Sequence, residues 1–238
     1  MDERTLRTRM LLGQEAMDRL AGSQVAVFGL GGVGSWCAEA LARAGVGTLT
    51  LVDQDTVSRT NINRQLCALE STVDMPKVQA VGARLLDINP ALRLRLLEGC
   101  YRAEDRERFF ADYDYVADAI DLVSCKLDLI LSCRERGIPI ISALGTGNKR
   151  DASRLRIADL SQTQGCALAR VVRRELRRQG VEHHTVVFSP EEPLEPEQIE
   201  APPPGRRSVP GSLVWVPAAA GLLLAQHIVL SLSDGGEK

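Results

Sequence analysis

Two hydrophobic periods take turns along this chain. Short apolar, β-branched runs read as strands: "QVAVFGL" from 24, "GTLTLVD" from 47, "LRLRLLEG" from 92, "YDYVADAI" from 113 and "IPIISAL" from 138. Between them lie stretches with apolar residues three and four apart, which predict helices: "GSWCAEALARAG", "PKVQAVGARLLDIN", "AEDRERFFAD" and "CKLDLILSCRERG". Strands alternating with helices predict an α/β fold, a Rossmann-like, mainly parallel sheet with helices on both faces. A mixed C-terminal portion extends it, with strands in "SRLRIADL" and "HTVVFS" around a helix over 166–179. Residues 189–210 carry seven prolines, too many for helix or ladder, and predict a mobile surface loop. The last apolar run, 213–232, is as long as a membrane span, but Pro217, Gln226 and His227 interrupt it. A buried core helix is therefore the expectation, with membrane association through 213–232 as the competing reading. The division expected is a nucleotide-binding core over 1–145 and, in the same domain, a C-terminal portion over 146–238.

The strand ends carry the chemistry. In "VAVFGLGGVGSW", Gly29, Gly31 and Gly34 form G-x-G-x-x-G between a strand and a helix, and Gly32 adds a further site of close backbone approach. The helix that follows presents free N–H groups and a partial positive charge to an anion. Asp53 ends the second strand nineteen residues after Gly34, where a carboxylate binds ribose hydroxyls. To this point NAD and ATP fit equally.

The next loop, "VDQDTVSRTNINRQL", separates them. It packs Asn61, Asn63, Arg64 and Gln65 just beyond Asp53, and Lys77 opens the next helix behind Pro76. Such a set of cations and amides suits a triphosphate attacked at its α-phosphorus. Asp121, expected at the end of the fourth strand, is a candidate carboxylate for the magnesium that accompanies ATP. The segments "GLGGVG", "VDQDTVSRTNINRQ", "MPKVQA" and "AIDLV" resemble the adenylating family of ubiquitin-activating enzymes and their bacterial relatives in molybdopterin and thiamine synthesis. The resemblance implies MgATP, a carboxylate substrate, an acyl-adenylate and a homodimer. By the same resemblance Gly32 and Asp53 contact the nucleotide and Asn61, Asn63, Arg64, Gln65 and Lys77 the phosphates. Asp121 then holds the metal, and Arg7 is donated across the dimer interface.

Composition bears on the substrate. The formal charge is −2 over 238 residues, so nucleic-acid contact needs a local basic patch. One exists: Arg170, Arg173, Arg174, Arg177 and Arg178 recur at helical spacing, and residues 149–180 hold nine Lys/Arg against Asp151, Asp159 and Glu175. The acidic loop behind, including Glu191 and Glu200, is expected to lie away from a docked RNA. Six scattered cysteines form no C-x-x-C pair, which predicts free thiols, a cytoplasmic protein and no structural zinc. Cys166, at the start of the basic helix, is a candidate reactive thiol, although a packing role is preferred.

The second half, "SRLRIADLSQTQGCALARVVRRELRRQGV", "VVFSPEEP" and "GSLVWVPAAAG", resembles the tRNA threonylcarbamoyladenosine dehydratases. That branch implies cyclisation of a modified adenosine next to the anticodon, with tRNA as partner. Two alternatives stand beside it. One is adenylation of the C-terminus of a ubiquitin-like sulfur carrier, with a sulfur-transfer partner, although the two zinc-binding C-x-x-C pairs frequent in that branch are missing. The other is an NAD-binding Rossmann module.

Overall fold

Parallel strands cannot be joined by hairpins, so each needs a crossover long enough to carry a helix. The computed structural model describes residues 3–199 and 209–235, and within them that logic builds a seven-stranded sheet. The strands are β1 (Gln24–Phe28), β2 (Thr48–Asp53), β3 (Arg93–Glu98), β4 (Tyr115–Asp118), β5 (Ile140–Ala143), β6 (Arg156–Asp159) and β7 (Thr185–Phe188). Their order is β3-β2-β1-β4-β5-β7-β6, parallel throughout except where β6 runs against β7. In chain order the path runs outward from β1 to β3, then returns to start on the other side of β1 with β4. That reversal is the point where the C-terminal ends of strands open a crevice.

Side-chain alternation splits the core between the two faces of the sheet. Val25 and Val27 of β1 join one cluster, Ala26 and Phe28 the other. The first face is covered by α2 (Gln14–Gly22), α3 (Gly34–Ala44), α4 (Lys77–Ile88) and α7 (Trp215–Ser233), preceded by the short α1 (Leu6–Leu12). The second is covered by α5 (Val123–Glu135), α6 (Ala167–Arg178) and an aromatic group of Tyr101, Phe109, Phe110 and Tyr113. The apolar C-terminal stretch is α7, 19 residues long and apolar enough to span a bilayer by length and composition. Leu224, Ile228 and Ala220 are nonetheless sealed inside the first cluster, as expected of a core helix.

Three expectations need correction. The helix expected over 103–112 is a kinked run of 3-10 turns, Ala103–Phe109, broken at Asp105. A segment this short has too few internal bonds to persist as a helix, and its side chains are pulled elsewhere. Phe109 enters the aromatic group, Arg106 reaches Ser132 and Arg108 donates to the Glu98 carbonyl. Asp121, placed by the sequence at the end of the fourth strand, lies three residues beyond it, in the loop before α5. In the proline-rich stretch, residues 200–208, including Glu200 and Pro202 to Pro204, lie outside the described residues. Glu191 departs from the expected exposed acidic loop: it is buried and accepts the backbone N–H groups of Arg150 and Asp151.

Candidate functional site

The crevice at the reversal is a cleft of about 650 Å³. Its floor is the turn after β1. Gly29 bends the chain at φ +87°, and Gly34 opens α3 so close beneath it that a Cβ there would stand 1.7 Å from the Gly29 carbonyl oxygen. Only this glycine lets helix and turn meet, which aims the first N–H groups of α3 into the cleft. Asp53 closes the side of the turn. Its carboxylate accepts the Leu30 N–H at 2.6 Å and the Asp55 N–H at 2.8 Å, leaving lone pairs for a further donor. Burial pushes its pKa above the usual carboxylate range, while the nearby Lys77 charge pulls the other way.

The loop between β2 and α4 forms a cationic wall. A 3-10 turn at Arg59–Asn61 is capped by Ser58 and Asn61, so the polar residues that follow are held in a fixed bend. Arg64 is half-buried; its guanidinium donates to the Thr60 carbonyl and to Asn63 Oδ1, both at 2.8 Å. The Oε1 of Gln65 is buried in the same wall and meets no hydrogen-bond partner among the described residues, an acceptor placed for a donor on a ligand. Lys77, at the first position of α4, is 5% exposed and pairs with Asp55 at 2.8 Å. An ammonium so placed, at a helix start and facing the cleft, can exchange Asp55 for a phosphate.

The opposite wall is set by a buried ion pair. Lys126 of α5 donates to Asp118 at the end of β4, 2.7 Å away, and to the Ala143 carbonyl at the end of β5, 3.0 Å away; both charged side chains are wholly buried. Asp118 also accepts the Ile120 N–H, which fixes the backbone just before Asp121. Gly29, Gly31, Gly32, Asp53, Asn61, Arg64, Gln65, Lys77 and Asp121 thus converge on one cleft. Groups the sequence did not single out complete it: Gly99 to Tyr101 after β3, Gly145 to Gly147 after β5, and the segment Val209 to Ser212.

Residues 3–238 match the ThiF family. The chain belongs to that family. It is 44% identical over 95% of its length to the tRNA threonylcarbamoyladenosine dehydratase of Bacillus subtilis, covering 93% of that protein. Its fold superposes on Escherichia coli tRNA N6-threonylcarbamoyladenosine dehydratase, TcdA, solved in complex with ATP, with a TM-score of 0.88 and 32% identity. That likeness covers 98% of this chain and 95% of the other. The complex of the same enzyme with AMP gives a TM-score of 0.89.

Several candidate residues of this ThiF-family chain lie elsewhere. Asn63 does not line the cleft; its amide donates to the Ser212 carbonyl at 3.1 Å and fastens the segment Val209–Ser212 across the opening. On the other side Asn148, at φ +60°, accepts the Gly211 N–H at 2.7 Å. Arg7 is exposed on α1, away from the cleft walls. Cys166 caps α6, its sulfur accepting the Ala169 N–H, and is buried against Gly145. On α6, Arg170, Arg174, Arg177 and Arg178 are exposed, whereas Arg173 turns inward onto Thr163 and the Leu160 carbonyl. Lys149, counted in the basic patch from sequence, is buried and adds nothing to the surface charge. Among the described residues no group of three or more His, Cys, Asp and Glu is placed to hold a metal. Asp53, Asp55 and Asp121 are the carboxylates that line the cleft among the described residues.

Proposed function

We propose that this chain is an ATP-dependent adenylating enzyme that cyclises threonylcarbamoyladenosine next to the tRNA anticodon, removing water. One observation carries the reading: a glycine turn, a ribose-type carboxylate, Arg64, Lys77 and Asp121 share one cleft at the reversal of the sheet. The near full-length likeness to a Bacillus subtilis dehydratase supplies the substrate class.

Asp53 receives the ribose hydroxyls, and the amides of Gly31 and Gly32 face the phosphates, with Arg64, Gln65 and Asn61 beside them. Lys77 leaves Asp55 for the anion. Asp121 would hold the magnesium that accompanies ATP, a cation that would offset charge on the phosphates. The substrate carboxylate oxygen attacks the α-phosphorus and pyrophosphate departs, its negative charge met by Arg64 and Lys77. The carbamoyl group of the same nucleoside then attacks the activated acyl carbon and expels AMP, so the oxygen lost as water leaves on AMP. Nucleophile and electrophile share one molecule, so effective concentration makes an enzyme thiol unnecessary, and Cys166 keeps a capping role. Arg170, Arg174, Arg177 and Arg178 track tRNA phosphates. A second copy donates Arg7 to the site, and the reaction runs in the cytoplasm, where its tRNA is.

The test is nucleoside mass spectrometry of tRNA carrying threonylcarbamoyladenosine after incubation with the chain, ATP and magnesium. A product lighter by one water, formed with AMP and pyrophosphate, is the expected result. Pyrophosphate release with a ubiquitin-like sulfur carrier, and none with the tRNA, would move the assignment to the carrier branch.

A further inference from the structure

The cleft has two chemically different halves. On the β1–β2 side stand Asp53, Arg64 and Lys77. On the β5 side the lining is Gly145 to Gly147, Leu168 at the start of α6, and Val209 to Ser212, with no charged side chain among them. Asn148, directly after Gly147, joins the two backbone segments of this neutral half. Its N–H donates to the Gly211 carbonyl at 2.8 Å, and its side-chain Oδ1 accepts the Gly211 N–H at 2.7 Å. Both backbone polar groups of Gly211 are thus met by one residue. The Asn148 carbonyl in turn accepts the Leu194 N–H at 2.8 Å.

The pairing depends on an uncommon backbone. Asn148 sits at φ +60°, a left-handed conformation that asparagine and aspartate tolerate better than most side chains. In that conformation its N–H and its amide oxygen meet the same residue. Beside it the two segments approach closely, since a Cβ on Gly147 would stand 3.0 Å from the Pro210 Cβ. At its other end Val209–Ser212 is fastened to the cationic wall, where Asn63 donates to the Ser212 carbonyl at 3.1 Å while its Oδ1 accepts Arg64. The segment is therefore tied to both sides of the cleft, and Asn148 is the tie on the neutral side.

We propose that Asn148 is a positioning residue: by fixing Val209–Ser212 against Gly145–Gly147, it shapes the neutral half of the cleft into the subsite for the carboxylate-bearing side chain of the substrate nucleoside. Nucleotide charge is met on the other half. On the neutral half no cation holds the carboxylate away from the α-phosphorus, so binding there does not stabilise the ground state at the expense of attack. The same half adjoins α6, whose exposed Arg170 stands two residues beyond Leu168, so a side chain entering here is continuous with phosphates held on that helix. Asn148 acts through the two segments it joins, and a misplacement of about 1 Å costs an attack about 10²-fold in rate. The choice of ligand rests on the tRNA-cyclisation reading; the hold on Val209–Ser212 does not.

Asn148→Gly keeps the left-handed backbone and loses the Oδ1 bond, whereas Asn148→Asp keeps an acceptor at the same place. Turnover and KM are measured on the full-length chain with tRNA carrying threonylcarbamoyladenosine, ATP affinity by titration, and amide exchange over 209–212 by mass spectrometry. For Asn148→Gly the expected result is a turnover rate at least about tenfold lower, with KM for tRNA and ATP affinity within about twofold of wild type. Exchange over 209–212 should quicken in the same variant. Asn148→Asp should recover most of the rate. Gly147→Ala gives an independent arm, since its Cβ displaces Pro210 and leaves Asn148 in place; its rate should fall as well. A wild-type rate in both Asn148→Gly and Gly147→Ala overturns the proposal, and so does an Asp variant no faster than the Gly variant. Loss of ATP affinity in step with the rate places Asn148 in service of the nucleotide half and overturns the subsite. Should the wild-type chain leave the modified tRNA unchanged while Asn148→Gly still loosens 209–212, the tie stands, and the tRNA reading falls together with the ligand assigned to the subsite.

Discussion

A guanidinium tied to Thr60 and Asn63 costs nothing to reorient when charge builds on a phosphate beside it, and this fixes how Arg64 is to be read. Burial lowers its pKa, and among the described residues its guanidinium is bonded to a carbonyl and an amide oxygen rather than to a carboxylate, the state that a proposed phosphate contact requires. Replacing Arg64 with Ala is expected to lower the turnover rate by about 10²–10³ while the melting temperature changes little, because only backbone and amide contacts are lost. Pyrophosphate release at saturating ATP measures the first and calorimetry the second; an undiminished rate removes Arg64 from the phosphate-transfer step. This residue was legible in the sequence because its loop combined unusual residue types in one place. Asn63 was legible by the same signal but is spent on Ser212, and no local pattern distinguishes an amide that binds a ligand from one that binds the chain's own backbone.

At the scale of elements, β4, β5 and α5 are joined by the buried pair of Asp118 and Lys126. Two opposite charges buried this completely are tolerated because each is further hydrogen-bonded, Asp118 by the Ile120 N–H and Lys126 by the Ala143 carbonyl. Changing Lys126 to Met leaves the carboxylate alone in the core, and a stability loss of about 3–5 kcal/mol is expected in urea. The double change Asp118→Asn with Lys126→Met is expected to recover much of it, because no uncompensated charge remains; a double variant no more stable than the single one refutes the account. The elements themselves were readable wherever a period persisted. The parallel strands showed as apolar runs, since both faces of the sheet are covered, and α7 was recognisable as buried because polar residues interrupt it. The segment Ala103–Phe109 was misread because its helical spacing is real but too short to outweigh aromatic packing and three side-chain bonds to neighbours. The closing segment Val209–Ser212 had no signature of its place at the cleft; it is held by Asn63 and Asn148 from distant parts of the chain and by Gln198, eleven residues before Val209.

For the molecule as a whole, the question is how a slightly acidic chain holds a polyanion. The net charge of −2 gives no general attraction, so binding needs a local basic face, and α6 is the candidate. On α6 the structure narrows that face. Arg173 is committed to Thr163, and Arg174 and Arg178 share Glu175 at 2.7 and 2.9 Å, which leaves Arg170 and Arg177 as the exposed arginines with no ion pair shown. These two differ from the cleft residues in the kind of effect they should have. Phosphate contacts act by releasing counterions, so each one removed should lower the slope of log affinity against log salt by about 0.7–0.9. Changing both Arg170 and Arg177 to Gln is therefore expected to weaken tRNA binding several-fold at low salt. The slope should flatten by about 1.4 to 1.8, and the rate at saturating tRNA should stay near wild type. Filter binding across a salt series, beside pyrophosphate release at saturating tRNA, reads both. A flattened slope with unchanged saturated rate places tRNA on α6 and chemistry in the cleft. An unchanged slope means that the RNA enters along another surface and that the arginine stripe serves only solubility.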